Sequence, residues 1–552
     1  MCKLPYSDDT PRSFVAETGP IIDIPRNPPP EGTREAPHTV EGIVKELGPG
    51  LIVAGAVVGS GELIATTAVG AESGFYLMWL IILGCLIKVF VQVEMGRYAI
   101  CTGETSLQGM SEVPGPRIGK VNWVLWFWLA TICVTTAQLG GIVGGVGQAL
   151  AISTPITEAG RKYNEVAEAK TQVQVMIQKT SLEAPLSPAI DSEELDRRIA
   201  DGEILLGHAR TWMDNRDQLD QLRADAKDHF IWAGIVALGS TVLLVRGKYR
   251  FIQIFITVLV GLFTVMTVVN VVLLQMNPEF AMTHQEFMSG LSFKLPPKAE
   301  GVYPLATALA TFGIIGVAAG EMVFYPYWCL EKGYAKFVGP QDGTGDWVRR
   351  ARGWVKVLRW DAFLSMIVYT VSTVAFYILG ASILHRIDLA PKGTEMIRTL
   401  SVMYEPVFGP TAQSVFLVGA IAVLYSTFFV TNASKARMCT DALRLFKLRP
   451  DTEESRARWL KIFCIAFPLM CFTIYWLYPR PTVLVLAGGV MQSILLPVMA
   501  CTALWFRYTK CDPRVAPGKT WDFMLWLSAA GMFVAGGWLA ATKLFPALKE
   551  LG

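Results

Sequence analysis

Leu51-Ile-Val-Ala-Gly-Ala-Val-Val-Gly-Ser-Gly-Glu62-Leu-Ile-Ala-Thr66 and Phe312-Gly-Ile-Ile-Gly-Val-Ala-Ala-Gly-Glu321-Met-Val-Phe-Tyr-Pro326 decide the fold. Each sets a glutamate directly after a glycine inside a long apolar run. A carboxylate at membrane depth costs a few kcal/mol or more, so it faces a partner, a cavity or an ion. Glycines loosen the helix there and free backbone carbonyls, which lipid tolerates only where they line a protein cavity. Two such breaks, about five spans apart, point to an inverted-repeat transporter with its site near mid-membrane. Two carboxylates facing one cavity repel each other unless a cation or proton sits between them. The sequence thus predicts a small cationic cargo.

Composition agrees. The 552 residues are 52% hydrophobic and 17% charged, with a net charge of +3, against roughly 25% charged in soluble domains. Arginines and lysines fall in short linkers rather than on one face, which gives nucleic-acid binding no support. No CxxC or Cys/His cluster suggests a disulfide framework or zinc site. No nucleophile–base pair or cofactor motif suggests an enzyme or a bound cofactor.

Apolar run length predicts an all-α integral membrane protein of about eleven spans: 48–71, 75–101, 121–152, 230–246, 250–275, 302–330, 356–384, 411–436, 458–478, 481–507 and 520–545. The linkers after even-numbered spans carry the basic residues: Arg117 and Lys120; Arg246, Lys248 and Arg250; Arg349, Arg350, Arg352 and Lys356; Arg437, Arg444, Lys447 and Arg449; Arg507, Lys510 and Arg514. By the positive-inside rule the N-terminus is cytosolic and the C-terminus extracytoplasmic in a plasma or inner membrane. The division is a disordered, proline-rich cytosolic tail over 1–44, spans 1–3 over 45–154, an extracytoplasmic insertion over 155–228, and spans 4–11 over 229–552. The insertion reads as polar helix broken at Ala184-Pro-Leu-Ser-Pro188, a solvated hairpin or a docking surface for a partner.

Around Glu62 the chain resembles the Nramp family of divalent metal transporters. The stretch Leu47-Gly-Pro-Gly-Leu through Gly59-Ser-Gly-Glu62-Leu-Ile-Ala-Thr-Thr-Ala-Val-Gly70 is similar to the family's first helix, with its Asp-Pro-Gly-Asn break falling on Gly59–Glu62. Gln92-Val-Glu-Met-Gly-Arg97 to Thr102-Gly103, Gly247-Lys-Tyr-Arg250, and Ser426-Thr427 with Thr431 and Ala433 are further matches. The resemblance covers about 42–545 without the insertion. It implies a LeuT-like fold of two inverted five-helix repeats with an added eleventh span. It also implies a metal-site set of Gly59, Glu62, Ala319, Gly320, Glu321 and Gln492.

The departures shape the expected chemistry. Gly59 and Glu62 stand where the family has Asp and Asn, and Gly320 stands at the place of its methionine. Without that thioether the remaining oxygens suit Mg²⁺ or Mn²⁺ better than soft metals. Span 3, Thr135-Thr-Ala-Gln138-Leu-Gly-Gly141, lacks the family's acids, so transport without proton coupling is expected. Two alternatives stay open: an amino-acid or polyamine carrier of the same fold, and a non-transporting sensor or scaffold working through the insertion. Lys88, roughly mid-span, is a candidate partner for either carboxylate, which would make Glu62 half of a structural ion pair. Gln492 and Gln138 have ordinary interhelical hydrogen bonding as their bland reading, and Asp361 an interfacial pair with Arg359.

Overall fold

The computed structural model describes residues 31–59, 61–182, 192–246, 249–296, 304–391 and 395–544. Among them, nine helices are long and apolar enough to cross a membrane, and a tenth if the bent pair Pro49–Val57 and Gly61–Ser73 counts as one span. That bent pair is span 1. Spans 2 to 5 are Met78–Thr102, Trp123–Ser153, Asp228–Arg246 and Tyr249–Leu274. Span 6 is also broken, into Pro304–Phe312 and Ala319–Lys332, and spans 7 to 11 are Gly345–Leu379, Ala412–Leu445, Glu453–Leu477, Pro481–Trp505 and Lys519–Leu544. A two-stranded ribbon, Arg117–Ile118 with Val121–Asn122, is the β structure among the described residues.

Both glycine-rich stretches break their helices, as the sequence predicts. In span 6 the turn at Gly316 has φ +56, a left-handed conformation that a residue with a Cβ adopts only at a cost. The freed carbonyls are not left bare: the Lys88 ammonium of span 2 donates to Ile315 O at 2.8 Å and to Phe312 O. In span 1 the Gly55 carbonyl accepts from the hydroxyls of Ser426 (2.9 Å) and Thr427 (3.4 Å) of span 8. A buried carbonyl in hydrocarbon must find a donor inside the protein, and these side chains are the donors.

Asp361 is a correction to the reading of an interfacial pair with Arg359. Its carboxylate accepts Gly48 N–H at 2.8 Å and Gly50 N–H at 2.5 Å, and the Tyr325 hydroxyl at 3.0 Å. It caps the N-terminus of span 1, whose first-turn amides have no intrahelical partner. Arg359 lies over the Trp521 ring instead, 4.6 Å from its centroid.

Polar contacts gather the linkers into two sets. Lys510 pairs with Glu112 (2.5 Å), Arg437 with Glu331 (2.6 Å) and Arg349 with Glu35 (2.9 Å), while Arg514 donates to Gly343 O (2.7 Å). Those contacts tie the linkers after spans 2, 6, 8 and 10 to one another or to the N-terminal segment; Lys248, in the basic linker after span 4, lies outside the described residues. In the other set Arg398 pairs with Glu168 (2.5 Å) and Arg386 with Glu286 (2.9 Å), and Gln172 donates to Glu405 (2.8 Å).

The unstructured tail expected over 1–44 needs a shorter boundary. Residues 1–30 lie outside the described residues, but Val40–Glu46 is a helix capped by Thr39. Ala36 and Ile43 are buried, and Trp354 Nε1 donates to Arg34 O at 3.0 Å. The apolar Ala36 and Ile43, spaced among charges, were too few to signal this docking. The insertion contains Glu158–Leu182 and Ser192–Asn215, which pack on each other; the Pro-broken turn falls outside the described residues.

Candidate metal centre

A cavity of about 40 Å³ lies where both breaks meet spans 3, 8 and 10. Its polar lining is Glu321 and Gly320 of span 6, Thr131, Thr135 and Gln138 of span 3, Thr427, Thr431 and Lys435 of span 8, and Gln492 of span 10. Trp128, Ile132, Ile142, Phe324 and Leu495 close it with apolar wall. Of the residues expected at the site, Gly320, Glu321 and Gln492 line this cavity. Gly59, Glu62 and Ala319 do not, although Gly61 does.

Glu321 is the carboxylate of the cavity. It is 8% exposed, and its Oε2 has no hydrogen-bond partner among the described residues. A buried, unmet carboxylate oxygen is costly to keep, so it marks a place where a ligand belongs. It sits in the first turn of the second half of span 6, where the helix dipole favours negative charge. Gln492 completes that turn. Its Oε1 accepts Gly320 N–H at 3.1 Å and its Nε2 donates to Gln138 Oε1 at 3.1 Å.

Glu62 faces another way. One carboxylate oxygen accepts the Thr373 hydroxyl of span 7 at 3.1 Å, and the other accepts Gly59 N–H at 3.2 Å across the helix break. Lys88 bonds the span-6 carbonyls and neither glutamate (closest ion-pair distance beyond 4.0 Å), so the expected Lys88–Glu pairing does not form.

Among the described residues, no three His, Cys, Asp or Glu side chains gather as a metal cluster. A cation here would meet one carboxylate, amide and hydroxyl oxygens and freed carbonyls. Met438 of span 8 also lines the wall. The sequence reading missed that residue and Lys435, because both fall beside the basic linker that begins at Arg437. Their signal is helical spacing: Thr427, Thr431, Lys435 and Met438 recur at three and four residues, one face of span 8.

Residues 225–542 match the family described as natural resistance-associated macrophage protein-like, Nramp. The chain belongs to the Nramp family. A divalent metal cation transporter, MntH, of Caldanaerobacter subterraneus subsp. tengcongensis is 32% identical over 117 residues, 21% of this chain and 27% of that one. A second MntH, from Clostridium acetobutylicum, is 25% identical over 124 residues, 22% of this chain and 28% of that one. The chain thus matches little more than a quarter of the length of these relatives. Over the whole fold it is similar to the manganese transporter of Eremococcus coleocola, with a TM-score of 0.54 at 14% identity, covering 93% of this chain and 91% of that one. This is a likeness of fold: a LeuT-like bundle of two five-helix repeats, broken at spans 1 and 6.

Neighbours stand close to both of the glycines expected at the site. A Cβ on Gly59 would stand 1.7 Å from Thr427 Oγ1, and one on Gly320 would stand 3.2 Å from Gln492 Oε1.

Proposed function

We propose that this chain carries a small, hard divalent cation, of the Mg²⁺ or Mn²⁺ kind, across a cell membrane by alternating access and without proton symport. The observation that carries this reading is the unmet Oε2 of Glu321, buried in a cavity of about 40 Å³ whose other polar lining is mainly amides and hydroxyls, with Lys435 and Met438 at its span-8 wall. A water needs about 10–15 Å³ of such space, so the cavity takes an ion with a water or two rather than an amino acid or a polyamine. Mg²⁺ sheds its waters reluctantly and is held through one or two carboxylates with waters retained, which suits a single glutamate. Span 3 lines the cavity with Thr131, Thr135 and Gln138, none of which takes up and releases a proton near neutral pH as a carboxylate relay would. The basic end is the cytosolic end by the positive-inside rule, which puts the insertion outside.

Uptake into proteoliposomes, with Mg²⁺, Mn²⁺ and Cd²⁺ competed against amines, tests this. Glu321→Gln should abolish saturable cation uptake while the protein still folds, and Cd²⁺ should gain little preference over Mn²⁺. Amine uptake in place of cation uptake, or full activity in Glu321→Gln, would overturn the reading.

A further inference from the structure

We infer that Lys435 is a specificity-determining residue of this site: its ammonium is a built-in positive charge that competes with the cargo for Glu321. The inference rests on the proposed role of Glu321 in binding the cation.

Lys435 is 2% exposed and lines the same cavity as Glu321, from the facing span 8. Its Nζ donates to Thr136 Oγ1 of span 3 at 3.1 Å, and no carboxylate lies within 4.0 Å of it among the described residues. The thiols of Cys133, Cys439 and Cys471 and the Glu321 carboxylate are the titratable groups around it. Removing an ammonium from water costs several kcal/mol, which a lone neutral hydroxyl offsets poorly. Glu321, across the cavity, has the oxygen that would offset it.

The charges around the breaks make the consequence definite. Two buried lysines, Lys88 and Lys435, stand near the breaks that carry Glu62 and Glu321. Lys88 is fixed by two carbonyls of the span-6 break, whereas Lys435 is held by one hydroxyl at the end of a flexible four-carbon stem. Lys435 is therefore the less constrained of the two charges: Thr136 holds its ammonium away from Glu321, and its stem leaves it free to compete with a cation at that carboxylate. A divalent cation must displace or tolerate that ammonium, so its affinity is lower than the carboxylate alone would give. Such a site suits a cation present at high concentration, since carriers work best with KM near the level of their substrate.

The test is cation affinity, read as KM for Mg²⁺ and Mn²⁺ uptake and as the concentration at which each ion raises the Tm of purified protein. Lys435→Gln should tighten both measures by roughly tenfold or more, because a unit positive charge leaves a poorly screened cavity. Thr136→Val, which removes the hydroxyl that holds the ammonium away from Glu321, should weaken them, and it keeps the inference testable if Lys435→Gln does not fold. A folded Lys435→Gln with unchanged or weaker affinity, or a Thr136→Val with unchanged or tighter affinity, overturns the inference. Affinity that ignores Glu321→Gln overturns the site itself; affinity that responds to Glu321→Gln and not to Lys435→Gln overturns only the role of Lys435.

Discussion

Gly59 and Thr427 are packed so closely that a methyl group cannot be placed between them: the Cβ position on Gly59 is 1.7 Å from the Thr427 hydroxyl and 2.7 Å from its Cβ. Span 8 thereby rests on the break in span 1, with Ser426 and Thr427 both donating to Gly55 O. Gly59→Ala should lower stability by about 1–3 kcal/mol, the range for overpacking a tight contact. Thr427→Ala removes the nearer atom, and the double variant should recover part of the loss. Melting temperatures of the four proteins measure the coupling; strict additivity would mean that the two residues do not touch.

The Glu62 carboxylate is replaceable by an amide without breaking its contacts. In Glu62→Gln the side-chain oxygen can still accept Gly59 N–H, and the new amide nitrogen can donate to the Thr373 oxygen, whose single proton, shared in the parent between Glu62 and Tyr369 O, then goes to Tyr369 O alone. Glu62→Gln should therefore melt close to the parent. Glu62→Ala leaves the Gly59 amide without its acceptor and should cost about 1–3 kcal/mol. Because Glu62 does not line the cavity, Glu62→Gln should weaken cation uptake less than Glu321→Gln. Equal losses in the two variants would place Glu62 on the cargo.

The insertion is fastened to the linker between spans 7 and 8 by a buried arginine. Arg398, 2% exposed, pairs with Glu168 at 2.5 Å and donates to Asn164 Oδ1 at 2.9 Å, and Gln413 donates to the same Glu168 oxygen at 2.6 Å. Glu168→Ala should cost about 1.5–3 kcal/mol by taking the ionic acceptor from a buried donor. Hydrogen exchange over 395–413 should speed up in that variant. Unchanged exchange there would show that the insertion does not hold the linker.

Glu286 ties the linker between spans 5 and 6 to the end of span 7. Burial works to raise its carboxyl, but the Thr283 amide and hydroxyl and the Arg386 guanidinium outweigh burial and hold it below the ordinary glutamate range. A depressed carboxyl contributes stability above its unfolded-state value of about 4.3, and that contribution is lost as pH falls through the lower folded-state value. The Tm difference between the parent and Glu286→Gln should be constant from pH 7 to pH 5 and shrink only below about pH 4. A difference that vanishes by pH 6 would assign the effect to another group.

Local chemistry made much of this protein legible from its sequence. Run length gave the helices and glycine beside glutamate gave both breaks, because each of these is set by neighbours along the chain and by the bilayer. The likeness of span 1 and span 2 to one transporter family was also present in the residues themselves. Which buried charge faces which was decided only in three dimensions. Glu62 and Glu321 follow the same local pattern, yet Thr373 and the Gly59 amide turn one away, while the other points into a cavity closed by Gln492 and Lys435. Lys88 reads as an ion-pair partner and is taken up by two carbonyls. Side chains from spans hundreds of residues apart make these choices, since inside the membrane every polar group must be satisfied by whichever partner the packing brings within reach.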